Sequence, residues 1–174
     1  AVLSSNKERL AADGVLWPGE HWGEQVRGVR GLRMADSADF SDWMSLVDEI
    51  DAWEGRSAII SMEFLSLIDA ETAKRAVESL SKHRVRIVLT ARDLGRAFPA
   101  QWQESVQNKQ AWTYSEYIQG VIGQNRKLKR AHRHFWNKQD WAKILGVCQH
   151  LVPAEDLVLV TVPPSGAPRG LLWE

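Results

Sequence analysis

A chain of 174 residues that is 44% hydrophobic can bury the core of a single domain. Its 22 basic and 22 acidic residues cancel, which argues against a globally basic surface of the kind that binds nucleic acid. One cysteine, Cys148, excludes an internal disulfide framework and fits a reducing compartment. No apolar run approaches the ~20 residues that cross a bilayer, and no basic-then-apolar signal opens the chain, so a cytoplasmic protein without a membrane span is expected.

Residues 1–13 fit a helix with Leu3 and Leu10 on one face and Gly14 as its left-handed stop. Val15 to Gly19 reads as a short extended piece closed by a Pro-Gly turn. Residues 20–37, interrupted by Gly23, Gly28 and Gly31, match neither period and are expected to be irregular. From Asp39 the spacing of Phe40, Trp43, Met44, Val47 and Ile50 is helical, with Gly55 at its end. Ser57 to Met62 predicts a short apolar strand. Asp69 is placed to cap a helix carrying Ala73, Ala76, Val77 and Leu80.

That helix leads into a strand over 85–90, whose β-branched run predicts burial on both faces of a parallel sheet. Pro99 suits the first turn of a helix bearing Trp102 and Val106. Thr113 and Glu116 have capping-box spacing ahead of Tyr117, Ile118, Val121 and Ile122. Further helices are expected over 126–137 and from Asp140 to Gly146, and a third strand over 157–162. Strands alternating with helices give an α/β fold, a parallel sheet flanked by helices, in one domain covering 1–174. The chain begins at Ala1 inside a helical pattern and stops at Leu171-Leu172-Trp173-Glu174, which reads as the opening turn of another helix. Both ends look like cuts, so a fragment of a longer protein is expected.

Polar residues that follow a parallel strand sit where open α/β sheets bind their ligands. Arg92, just after the strand at 85–90, is therefore aimed at a ligand, and an arginine there favours a phosphate or carboxylate. The competing role for Arg92 is a structural ion pair with Asp93 or a nearby carboxylate. Glu63, just after the strand at 57–62, could act as a general base toward a hydroxyl, or serve only as a helix-start glutamate. The basic run from Arg126 to His134 could bind phosphate groups, but its residues also fit the solvated face of a helix packed through Leu128, Ala131 and Phe135. His132 and His134, two apart, diverge around a helix and offer no zinc spacing, so no metal is expected. Cys148 has no partner motif and reads as a small core residue. No glycine-rich phosphate loop occurs in the chain.

Several segments taken together resemble one family. Asn6 to Gly19 (NKERLAADGVLWPG) is similar to the helix and turn that follow the phosphate loop in bacterial, especially actinobacterial, sulfotransferases. Leu89-Thr90-Ala91-Arg92-Asp93-Leu94, with Pro99 to Glu104 and Asn108, resembles that family's second cofactor region. Phe135-Trp136, Gln139-Asp140, Val160 to Pro164 and Gly166-Ala167-Pro168 follow in the same order. The resemblance implies a P-loop NTPase-like sulfotransferase architecture lacking its first strand and phosphate loop. It implies transfer of a sulfuryl group from 3′-phosphoadenosine-5′-phosphosulfate (PAPS) to a hydroxyl or amine of a small-molecule, glycan or lipid acceptor. By the same resemblance Arg92 would hold the cofactor's 3′-phosphate and Glu63 would be the acceptor base. Ala100 stands where the family carries a serine, and Ser105 or Gln101 would have to replace it. The alternative is a noncatalytic relic of the same fold that binds a nucleotide or a partner.

Overall fold

The structure, a computed structural model, describes residues 3–32, 40–123, 126–163 and 166–168. It is mixed α/β, with pairs of parallel strands flanked by helices. The chain divides into two compact units, Ala1–Val85 and Arg86–Glu174.

In the first unit a 3-10 turn at Ser4–Asn6 runs into α1 (Lys7–Ala12), and Gly14 stops it at a φ of +74°. That left-handed backbone is open to glycine without steric cost. Strand β1 (Val15–Leu16) pairs in parallel with β2 (Ser57–Ala58). The strand expected over 57–62 is thus shorter, although the Ile59 N–H still donates to the Leu16 carbonyl at 2.8 Å.

Helix α2 (Trp22–Leu32) overturns the expectation of irregular backbone for most of 20–37; residues 33–37 of that stretch lie outside the described residues. One of its glycines, Gly28, is a contact point rather than a break. A Cβ on Gly28 would lie 2.7 Å from Leu46 Cδ1 of α3 (Phe40–Asp51), so the missing side chain lets the two helices close. Gln25, Val29 and Leu32 share the buried side of α2 at helical spacing, a period that the intervening glycines obscure in the sequence. Helix α4 (Ala70–Ser79) is capped by Asp69, whose carboxylate accepts from the Thr72 N–H at 2.8 Å. Trp43 Nε1 donates to Ser79 Oγ at 2.8 Å, and Arg75 donates to the Leu32 carbonyl at 2.5 Å. The second contact satisfies a carbonyl that the end of α2 leaves without an intrahelical partner. Val26, Val29, Leu32, Trp43, Leu46, Val47, Met62 and Ala76 form the core of this unit.

The second unit holds β3 (Ile87–Ala91) and β4 (Leu157–Thr161), parallel and in register from Ile87 opposite Leu157 to Ala91 opposite Thr161. The single parallel sheet expected through 57–62, 85–90 and 157–162 is instead two separate two-stranded pairs. The hydrogen-bonded neighbour of β2 is β1, and β3 pairs only with β4 among the described residues. Burial of β3 on both faces is corrected as well, since its residues alternate between half-buried and exposed. A two-stranded ladder cannot cover both of its own faces: Val88 remains 55% exposed and Leu159 47%.

Between these strands run α5 (Leu94–Gln107), α6 (Tyr114–Val121), α7 (Lys129–Gln139) and α8 (Trp141–Cys148). Helix α5 starts five residues before Pro99, so the proline sits in its interior rather than its first turn. The capping box at Thr113 and Glu116 forms as expected, and Asp140 caps α8 by accepting from the Lys143 N–H at 3.1 Å. Gly120 allows α6 to meet α7 closely, because a Cβ there would lie 2.8 Å from Leu128 Cβ and 2.9 Å from Ala131 Cβ. Ala97, Tyr117, Val121, Ala131 and Phe135 form the core, with the Phe98 and Phe135 rings 4.7 Å apart. The expected helical turn at Leu171–Glu174 lies outside the described residues. No helix among the described residues is long and apolar enough to cross a membrane.

Candidate functional site

Parallel pairing puts the carboxyl ends of β3 and β4 side by side, and the chain leaves both ends in polar or turn-forming residues. The Val162 N–H donates to the Ala91 carbonyl at 2.8 Å, extending the pairing one step beyond the ladder. Asp93 then caps α5, accepting from the Arg96 N–H at 3.0 Å. The Arg96 side chain turns back on the same carboxylate. Its other nitrogens donate to the Pro163 carbonyl at 2.9 Å and the Val162 carbonyl at 3.3 Å. One guanidinium therefore joins the start of α5 to the exit of β4. The Arg96 side chain and backbone N–H together hold the Asp93 carboxyl below its ordinary range.

Arg92 lies between β3 and this cap. It is exposed, and among the described residues it makes no hydrogen bond or ion pair. The ion pair with Asp93 weighed from the sequence is taken by Arg96 instead. An exposed guanidinium beside a carboxylate that another arginine already neutralises retains its attraction for an anion.

Ser105 is fully buried within α5, and its hydroxyl donates to the Trp102 carbonyl at 2.7 Å. Gln101 is engaged too, its Nε2 donating to Glu104 at 2.9 Å. Ala100 is half-buried in the same helix. The helix that follows Arg92 thus offers no uncommitted hydroxyl at these positions.

Glu63 belongs to the first unit, whereas Arg92 and Ser105 belong to the second. It opens a 3-10 turn at Glu63–Leu67 that follows the extended 59–62 segment, with Met62 buried before it and its own side chain exposed. Its carbonyl accepts from Ser66 Oγ at 2.7 Å. The approach to Glu63 is held by a residue that sequence reasoning passed over. Gln25, fully buried on α2, donates to the Pro18 carbonyl at 3.0 Å and accepts from the Ser61 N–H at 3.1 Å. Arg96 was passed over as well, although the Asp-x-x-Arg spacing after a strand carries its signal: a capping carboxylate followed one turn later by a cation.

The remaining candidates belong to other elements. His132 donates through Nδ1 to the Val121 carbonyl at 2.8 Å, and Trp136 Nε1 shares that carbonyl at 2.9 Å. Cys148 is half-buried, and burial pushes its thiol up, away from the reactive thiolate. Among the described residues no group of three His, Cys, Asp or Glu side chains could hold a metal ion. Comparison with protein-family models, with curated proteins and with solved structures finds no match.

Proposed function

We propose that the chain is sulfotransferase-like, and that Arg92 holds the 3′-phosphate of PAPS while an acceptor hydroxyl or amine receives the sulfuryl group. The observation that supports this reading is Arg92 itself, exposed at the carboxyl end of β3 and without a hydrogen bond or ion pair among the described residues, its neighbouring carboxylate held by Arg96. A phosphate is doubly charged and matches the guanidinium fork, so it suits this position better than a neutral ligand does. Bound PAPS would supply the sulfuryl group, the phosphosulfate bond breaking so that adenosine 3′,5′-bisphosphate leaves. Arg92 binds and orients the cofactor; the exposed Glu63 carboxylate, in the first unit, is the acceptor base that the resemblance implies. Ser105 has no part in the reading, because its hydroxyl is committed to the Trp102 carbonyl inside α5.

The test is calorimetric titration with adenosine 3′,5′-bisphosphate. Arg92→Ala is expected to weaken binding about 10- to 100-fold, the range of one charge-assisted contact, while the Tm stays unchanged. Equal affinity of the two proteins would remove the reading.

A second reading, a noncatalytic nucleotide- or partner-binding relic, is favoured by the lack of an uncommitted hydroxyl at Ala100, Gln101 and Ser105. Sulfuryl transfer that disappears in Glu63→Gln while bisphosphate binding persists would decide against it.

A further inference from the structure

The neutral total charge of the chain conceals a segregation. Ala1–Val85 carries 10 basic and 15 acidic residues, whereas Arg86–Glu174 carries 12 basic and seven acidic, a balance of −5 against +5. Within the second unit the excess gathers on α7, whose sequence KRAHRHFWNKQ holds no acidic residue. Ala131 and Phe135 are buried against the core, and the opposite side of the helix presents Lys129, Arg130, Arg133 and Asn137, all exposed.

Lys129, Arg130 and Arg133 make no ion pair among the described residues; the α7 cation that does is Lys138, 2.6 Å from Glu104. Lys129 and Arg130 also stand in the first turn of the helix, which lacks an acidic residue to offset its positive end. Repulsion there is relieved when an anion arrives. His134 senses the same crowding: burial, and then Lys138, push its pKa down, with Arg130 adding to the effect. The face is rigidly mounted, because Gly120 admits Leu128 and Ala131 and the Val121 carbonyl binds both His132 and Trp136.

We infer that this exposed face of α7 binds the phosphate backbone of a nucleic acid, without reading its sequence. Lys129 and Arg133 are four residues apart, about 6 Å along the helix, which spans about two successive phosphates of one strand. Arginine forks suit phosphate oxygens, and counterion release provides the driving force. A protein partner or a membrane would call for apolar side chains on the same face, and among the described residues the exposed large hydrophobics lie on other elements. Arg92 is on a different element, at the strand end before α5.

The experiment is fluorescence anisotropy of a labelled oligothymidylate with the full chain, between about 50 and 200 mM salt. The expected result is binding that weakens with salt at a log–log slope of about −2, for three contacts at roughly 0.7 each on a single strand. The combined variant Lys129→Gln, Arg130→Gln, Arg133→Gln is expected to bind at least about ten-fold more weakly with a slope near zero. Its Tm is unchanged, since all three side chains are exposed. Arg92→Ala is expected to keep oligonucleotide binding, so failure of the cofactor reading and failure of this one are told apart. The inference is overturned by absence of salt-dependent binding, by a variant that binds like the parent, or by loss of binding in Arg92→Ala. Equally tight binding of polyglutamate would also overturn it, by assigning the face to acidic protein surfaces.

Discussion

The Asp93 carboxylate is held by Arg96, one helical turn on, and not by its sequence neighbour Arg92. Arg96 also donates to the Val162 and Pro163 carbonyls, so the same side chain closes the β4 exit against the start of α5. The two arginines near this cap consequently have different tasks: Arg96 is structural, and Arg92 faces solvent.

Replacing Arg96 with Ala should therefore affect both stability and ligand binding. Two carbonyls lose a donor, which at about 0.5–1.5 kcal/mol per hydrogen bond is expected to lower the Tm measurably in differential scanning fluorimetry. The released Asp93 carboxylate would turn toward Arg92 and reduce its affinity for adenosine 3′,5′-bisphosphate. The acid limb responds too. Asp93 is held below its ordinary 3.8, so its contribution is present above that value and fades as pH falls through the lowered folded value. In Arg96→Ala that part of the Tm–pH curve should flatten. A Tm identical to the parent's would show that the Arg96 contacts carry no stability.

Gln25→Ala leaves the buried Pro18 carbonyl without its donor and removes the acceptor of the Ser61 N–H, which lies nearer the surface. The buried carbonyl left as an orphan costs about 1–3 kcal/mol, and urea denaturation should show a loss of that order. If Glu63 serves as acceptor base, turnover should fall further than stability does, because Ser61 lies two residues before it in the chain. A stability change below about 1 kcal/mol would indicate that water replaces the glutamine at both positions.

Gly120→Ala sets helix propensity against packing. Alanine gains about 1 kcal/mol of propensity over glycine in an exposed helix. Here its Cβ would meet Leu128 Cβ and Ala131 Cβ below 3.0 Å, and neither atom can rotate away. Overpacking of this kind costs about 1–3 kcal/mol, so net destabilisation is expected, along with weaker oligonucleotide binding as α7 is displaced. A stabilised variant would show that α6 and α7 separate easily.

His134 supplies a pH dependence. Burial, then the charges of Lys138 and Arg130, lower its pKa below 6.5, with Glu104 acting in the opposite direction. The unfolded chain thus binds the proton more readily than the folded one, and stability falls as pH drops through the unfolded value near 6.5. His134 Nδ1 is also buried without a hydrogen-bond partner among the described residues. His134→Phe is expected to flatten the Tm–pH curve between about pH 7.5 and 5.5 while leaving its alkaline part intact. Parallel curves for the two proteins would place the titration elsewhere.

What could be read from the sequence were the local devices. Gly14 as a helix stop, the Asp69 and Asp140 caps and the Thr113–Glu116 capping box all depend on contacts within four residues, and the structure contains each of them. Apolar strand cores near 87–91 and 157–161 were equally visible, because β-branched runs bounded by polar residues have few other uses. Tertiary structure decided everything that required knowing a distant neighbour. Helix α2 was hidden because its glycines look like breaks until Leu46 is seen occupying the space above Gly28. Strand partners were hidden because a short parallel run states that it will pair, not with which partner, and β2 chose β1. The release of Arg92 from Asp93 depended on Arg96 reaching the end of β4, 66 residues further along the chain. The zero charge total likewise hid that the two units carry opposite balances, −5 and +5, because a sum over the chain does not say which residues fold together.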